Sequence, residues 1–95
     1  MAEPALKTNV VMFGRMGRYR LTLAASEDGR PLPNARIEVV GSDGNIQEVR
    51  ADEHGTAAVV WVVADGENVW LSFTVNGHPV KKSENLWGAS KRGTR

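Results

Sequence analysis

Apolar and polar residues alternate along several short stretches of this chain, and turn residues separate the stretches. The clearest alternation covers residues 19–25, where Tyr19, Leu21 and Leu23 fall on one side and Arg20 and Thr22 on the other. The same period of two recurs in residues 35–40 and 69–75. Alternation of this kind is typical of a β-strand with one face against a core and the other in water.

Glycine, proline, asparagine and aspartate lie between these stretches, and Asn76-Gly77 is the strongest two-residue hairpin signal. Seven short strands are predicted, at residues 9–13, 19–25, 35–40, 46–51, 57–64, 69–75 and 78–83. Strand follows strand with no room for a helix. We therefore expect an all-β fold, an antiparallel immunoglobulin-like sandwich of seven strands.

Residues 57–64 form the most apolar predicted strand, because both of their alternating sets are apolar. A strand with two apolar faces is typical of a position that is covered on both sides. We therefore expect this strand to lie away from solvent on either face.

The turn at residues 65–68 is expected to join that strand to residues 69–75 as a hairpin. If the turn has two or four residues, the outer face carries Val59, Trp61, Val63 and Trp70. If it has three, the outer face carries Ala58, Val60, Val62 and Trp70. Either register leaves Trp70 outside among aliphatic side chains, and an apolar patch of this kind usually marks an interface.

The sequence leaves three alternatives for what covers that patch. It is covered by the chain itself, through residues 10–13 or through Leu86 and Trp87, by a protein partner or a second copy, or by a small ligand or glycan. Leaving it bare is unfavourable, since apolar burial contributes about 25 cal/mol per Å². The predicted interface consists of Trp70, Trp61, Val59, Val63, Leu86 and Trp87.

Length and composition limit the classes of protein to consider. At 95 residues the chain is one domain, and its 41% hydrophobic and 24% charged residues argue against a disordered protein. We expect a flexible arm at residues 1–8, the sandwich at 9–83 and a basic tail at 84–95. The absence of cysteine excludes a disulfide framework, and no run approaches the roughly 18 apolar residues of a membrane helix. The first residues lack the pattern of a secretory signal, so we expect a cytoplasmic or virion-associated protein rather than a secreted one.

Charge is segregated although the net charge is only +1. Residues 1–20 carry four basic and one acidic side chain, residues 21–75 carry three and nine, and residues 76–95 carry five and one. The basic ends are either solubilising tails or a contact for the acidic body, a neighbouring copy or an anionic partner. Nucleic acid is a minor alternative because no aromatic residues interleave with the cations. The basic candidates are Arg15, Arg18, Arg20, Lys81, Lys82, Lys91 and Arg92.

Acidic residues cluster in turns that a sandwich places at one end. Carboxylates there could hold Ca²⁺, and the candidates are Asp28, Asp52 and Glu53. Their spacing matches no defined calcium loop, so ordinary solvated turn acids are the favoured interpretation. His54 and His78 lie in the same turns, but no nucleophile accompanies them. We therefore expect no metal, no cofactor and no enzymatic activity.

Two turn motifs carry a family resemblance over about residues 19–75. Asp28-Gly29-Arg30-Pro31-Leu32-Pro33-Asn34-Ala35-Arg36-Ile37, followed by Asp52-Glu53-His54-Gly55-Thr56-Ala57, resembles bacterial immunoglobulin-like domains of the invasin and intimin type and the related carboxypeptidase-regulatory-like modules. The resemblance implies a non-enzymatic binding or spacer module, since such modules serve as adhesin stalks, enzyme appendages and phage decorations. Because this chain stands alone rather than in a tandem array, we expect a small accessory protein, by analogy one of a phage or virion surface, or else a surface adhesion-type module.

Transthyretin-like hydroxyisourate hydrolases share a Gly-x-Pro strand entry with this chain. Their site uses a terminal Tyr-Arg-Gly-Ser motif, whereas residues 91–95 here read Lys-Arg-Gly-Thr-Arg, with no tyrosine before the Arg-Gly. The similarity stops at the fold. We expect a structural or binding module that contacts copies of itself or a larger assembly, with a transthyretin-like hydrolase and an anionic-partner binder as the alternatives.

Overall fold

A computed structural model of the chain describes residues 3–13 and 17–88. These residues form eight strands and no helix: β1 Pro4–Phe13, β2 Arg18–Glu27, β3 Arg30–Pro31, β4 Arg36–Gly41, β5 Ile46–Arg50, β6 Thr56–Val62, β7 Asn68–Val75 and β8 His78–Trp87. With no helix among them, the described residues contain no helical segment able to cross a membrane.

The strands form two antiparallel sheets. In the first sheet, β2 pairs with β1 along one edge and with β6 and the two-residue β3 along the other. In the second sheet the order is β5-β4-β7-β8. The chain crosses from the second sheet to the first between β5 and β6, and back again between β6 and β7.

The core lies between the sheets because each long strand turns alternate side chains inward. Leu21 and Leu23 of β2 and Ile37 and Val39 of β4 belong to this core, and each of the four is fully buried. Burying an aliphatic side chain of this size contributes about 1.5–3 kcal/mol relative to leaving it in water. The described part of the chain buries no charged or polar residue. One apolar core therefore holds the two sheets together.

The all-β, antiparallel prediction is confirmed, and each of the seven predicted strands is present. The eighth, β3, was not predicted because its two residues lie in a proline-rich turn that showed no alternation. Two predicted boundaries were wrong. β1 begins at Pro4, because Leu6 is buried in the core, and β8 continues to Trp87 because Leu86 is buried there as well. Residues 89–95 of the predicted tail lie outside the described residues.

The turn between β5 and β6 requires glycine at position 55. Gly55 has a φ of +80°, a conformation that side chains with a Cβ rarely adopt. Its carbonyl accepts a hydrogen bond from the Ala25 amide at 2.8 Å, which holds the turn against β2. A Cβ at this position would lie 2.8 Å from the Ala25 carbonyl oxygen. Both the backbone angle and the space therefore exclude a larger residue.

We predict that Gly55→Ala lowers the free energy of unfolding by about 2–4 kcal/mol, from left-handed strain and from the clash with β2. Gly29→Ala is the matched control, because Gly29 has a similar φ of +77° but nothing within 4 Å of an added Cβ. It should cost only the backbone term, about 1–2 kcal/mol. Urea unfolding of the two variants measures the difference, and equal losses would show that contact with β2 is unimportant.

Candidate interaction surface

Large apolar side chains are exposed at only one end of the described sandwich. We call this the apolar end; it contains the last residues of β1, β6 and β8, the first residues of β2, β5 and β7, and the turn between β4 and β5. The opposite, polar end contains the start of β1 and the turns β2–β3, β5–β6 and β7–β8. The exposed side chains at the apolar end are Val11, Met12, Phe13, Ile46, Val60, Val62, Trp70 and Trp87.

Four of the six residues predicted at the interface are instead in the core: Val59, Trp61, Val63 and Leu86. Each of them is at most 4% exposed. The expected hairpin between β6 and β7 was wrong, because residues 63–67 cross from one sheet to the other. The odd-numbered residues of β6 therefore point toward the second sheet. They fill the core and are not available to a partner.

The other face of β6 is open to solvent. Val60 and Val62 are 47% and 55% exposed, on the outer face of the first sheet. We expected this strand to be covered on both faces. Within the described residues that expectation is wrong, because each sheet packs against only one other sheet. The second of the two predicted residue sets, Ala58, Val60 and Val62, is the exposed one. It lies on the first sheet, however, whereas Trp70 lies on the second.

Trp70 and Trp87 lie near each other on the outer face of the second sheet, 55% and 59% exposed. Trp70 of β7 is opposite Asn85 of β8, so Trp87, two residues further, is its diagonal neighbour on the same face. Of the residues expected to cover Trp70, only Trp87 lies beside it. Residues 10–13 pair with β2 in the first sheet, and Leu86 points into the core at 1% exposure.

Hydrogen bonds fix the backbone beneath both tryptophans. The Trp70 amide donates to Ser42 Oγ at 3.0 Å, and its carbonyl accepts from the Ser42 amide at 2.8 Å. Across the sandwich, the Tyr19 hydroxyl donates to the Trp87 carbonyl and accepts from the Trp87 amide. The two indoles therefore stand on an ordered part of the sheet.

The outer face of the first sheet combines apolar and basic residues. The register places Phe13, Arg18 and Val62 in one row across β1, β2 and β6. The next row is Val11, Arg20 and Val60. Each arginine thus lies between two apolar side chains, an arrangement in which its aliphatic stem can pack while the guanidinium stays in water.

The basic candidates do not gather into one patch. Arg18 and Arg20 lie on the first sheet toward the apolar end, whereas Lys81 and Lys82 lie on β8 of the second sheet, toward the polar end. Arg15, Lys91 and Arg92 lie outside the described residues.

The acidic turn residues lie at the polar end, but within residues 3–13 and 17–88 no group of three or more potential ligands could hold a metal. Asp52 instead organises the β5–β6 turn. Its carboxylate accepts from the Thr56 amide at 3.0 Å, from the Thr56 hydroxyl at 2.9 Å and from the His54 amide at 2.8 Å. These bonds, those from Thr56 above all, hold the pKa of Asp52 below its ordinary value of 3.8. His54 Nε2 lies 3.5 Å from the Glu53 carboxylate, and both side chains are largely exposed.

The contact between Asp43 and Trp61 was not anticipated from the sequence. The Trp61 indole donates from Nε1 to Asp43 Oδ2 at 3.2 Å, which joins the β4–β5 turn to β6 in the other sheet. Burial alone would raise the pKa of Asp43, but hydrogen bonds from the Asn45 amide, the Trp61 indole and the Asn45 side chain together lower it. A buried tryptophan requires a hydrogen-bond acceptor for its N–H, and this requirement is the signal from which the contact could have been predicted.

Comparison of the chain with family models, with curated proteins and with solved structures finds no match. The resemblance to bacterial immunoglobulin-like domains therefore stays a prediction.

We predict that Asp52→Asn destabilises the protein at neutral pH and not in acid. A carboxylate with a lowered pKa in the folded state stabilises above the unfolded value, 3.8, and loses that contribution as pH falls through the folded pKa. Asparagine retains an acceptor oxygen but not the charge. Urea unfolding at pH 7 and at a pH well below 3.8 should therefore show a gap between variant and wild type that closes in acid. A gap of constant size would mean that the charge plays no part.

Proposed function

We propose that the chain is a non-enzymatic, immunoglobulin-like module that works by protein contact, joining copies of itself or a larger assembly such as a virion. The observation that carries the proposal is the concentration of exposed large apolar side chains at one end of the sandwich. They occupy the outer faces of both sheets at that end, Val60 and Val62 on the first and Trp70 and Trp87 on the second, and exposed apolar surface of this kind is typical of interaction sites.

Strand order supports the immunoglobulin-like assignment. When the two-residue β3 is set aside, the first, second and fifth strands share one sheet, and the third, sixth and seventh share the other. Immunoglobulin domains distribute the corresponding strands in the same way. The fourth strand, β5, is placed differently. In constant-type domains the fourth strand lies beside the fifth, whereas in this chain it lies beside the third.

The residue types at the apolar end support a protein partner. Tryptophan, phenylalanine, methionine and arginine are the residues enriched in interfaces, and the described apolar end contains each of them. Trp70 is the strongest single candidate, because it is more than half exposed while its backbone is fixed on both sides. Because the backbone beneath the indole is already ordered, binding there need not order the main chain, which lowers the entropic cost of association.

The two alternatives gain less from the structure. An anionic partner is favoured by clustered cations, and Arg18 and Arg20 lie on a different sheet from Lys81 and Lys82. The hydrolase alternative rests on a fold-level similarity, and the exposed His54–Glu53 pair adds no substrate cavity to it. Both stay predictions.

We predict that the wild-type chain self-associates with rising concentration and that Trp70→Ser weakens this association by about 30-fold or more, as expected for an interface hot spot. Thr74→Ser is the matched control, since Thr74 is on the same strand and face but near the polar end. Sedimentation equilibrium across a wide concentration range measures both.

Association should persist at high salt if apolar contact drives it, whereas contact through the arginines would weaken as salt rises. A wild-type chain that stays monomeric at high concentration, with Trp70→Ser indistinguishable from it, would count decisively against self-contact.

A further inference from the structure

The outer edge of β1 differs from the other three sheet edges. β5 has only five residues and carries Glu48 and Arg50. β8 contains Pro79, two lysines and an irregularity in its pairing with β7. β6 has Val60, whose carbonyl accepts a hydrogen bond from Gln47 Nε2 at 2.8 Å. Short length, charges, prolines, bulges and side-chain caps are the means by which proteins protect exposed edges.

β1 uses such protection only in its first half. Pro4 and Lys7 lie there, and the Thr8 hydroxyl bonds the Glu84 carboxylate of β8 across the seam between the sheets. From Asn9 to Phe13 the strand carries no charge and no proline. Its last three side chains, Val11, Met12 and Phe13, are each at least 40% exposed.

The hydrogen bonds of β2 determine which residues of this segment direct their backbone N–H and C=O groups away from the sheet. The Ala25 amide bonds the Gly55 carbonyl and the Val63 amide bonds the Gly17 carbonyl, so the odd-numbered residues of β2 face β6. The even-numbered residues of β2 therefore bond β1, through Val11 and Phe13 among others. Val10 and Met12 consequently direct their N–H and C=O groups outward, and no described strand pairs with them.

We infer that a second copy of the chain pairs with this edge, antiparallel, about a two-fold axis at Val11. Each Val10 then bonds Met12 of the other copy, which gives about four hydrogen bonds between the copies. This register uses only the unoccupied residues, since pairing further toward the start of β1 meets Thr8 and its Glu84 partner. It places no like charges opposite each other, and Val11 meets its own equivalent on the outer face.

The inference rests on the proposed function, because both require contact between copies of the chain, and it adds to the Trp70 face a second contact in which β1 of the two copies forms a continuous sheet. In that sheet the row of exposed side chains formed by Val60, Arg20 and Val11 of one copy is followed directly by the same row of the other copy, with the two Val11 side chains adjacent. The strand pairing fixes the geometry, and the apolar rows beside it add buried surface.

Met12→Pro tests the pairing. Proline removes the outward N–H of Met12 and leaves the bonds to β2 intact, since Met12 is opposite Tyr19 at a position that does not bond β2. The dissociation constant of the dimer should rise roughly 10- to 100-fold, because two intermolecular hydrogen bonds are lost. Met12→Thr is the matched control: it removes the same apolar side chain, keeps the N–H, and should retain most of the association.

Amide hydrogen exchange of the full wild-type chain gives a second readout that needs no variant. The Val10 and Met12 amides should be protected only at concentrations where the dimer forms. The Val11 and Phe13 amides should be protected at all concentrations, because they bond β2. Fast exchange at Val10 and Met12 in an associated sample would overturn the inference.

The outcomes separate the edge from the wider proposal. If the wild type associates and Trp70→Ser weakens it while Met12→Pro does not, the proposed function holds and the β1 contact is wrong. Equal losses in Met12→Pro and Met12→Thr would mean that the side chain docks on a face, which also rejects strand pairing. A loss in Met12→Pro alone, with Trp70→Ser unchanged, would support the edge and remove the second-sheet tryptophans from the contact.

Discussion

The position of Trp61 in the core is the constraint on which this structure depends. Its indole lies between the sheets, and its N–H donates to Asp43 in the turn between β4 and β5. Gly41 makes the approach possible, because a Cβ there would lie 2.7 Å from the Trp61 ring. Once Trp61 points inward, the period of two along β6 forces Val60 and Val62 outward. The exposed apolar surface of the first sheet is therefore a geometric result of how the core is filled.

Much of the fold could be predicted from the sequence, since the strands are short and the turns carry strong signals. Residues 69–75 alternate so clearly that their inward set could not be mistaken, and Val69, Leu71, Phe73 and Val75 are all buried. The turn residues Asn76-Gly77 separate β7 from β8 as expected, and both have positive φ. Local pattern and tertiary structure agree in these elements.

The candidate surface was harder to predict for a physical reason. In β6 the residues of both faces are apolar, so alternation carries no information on which set is inside. Pairing partners depend on contacts between residues far apart in the sequence, and the short connection at residues 63–67 fits a hairpin as well as a crossing between sheets. Trp70 was placed outside correctly, because Ser72 and Thr74 on its face are polar. Trp61 had no such neighbours, and only the need of its N–H for a partner distinguished it.

The two ends of the described chain lie at opposite ends of the sandwich: Glu3 precedes β1 at the polar end, whereas Gly88 follows Trp87 at the apolar end. A fluorophore or surface tether attached ahead of Glu3 would leave Trp70, Trp87 and the second half of β1 accessible. The chain leaves the sandwich at Gly88 beside these side chains, so a tether on that side would bring the support toward the apolar end. Where the handle is placed therefore decides whether an immobilised copy can still be recognised.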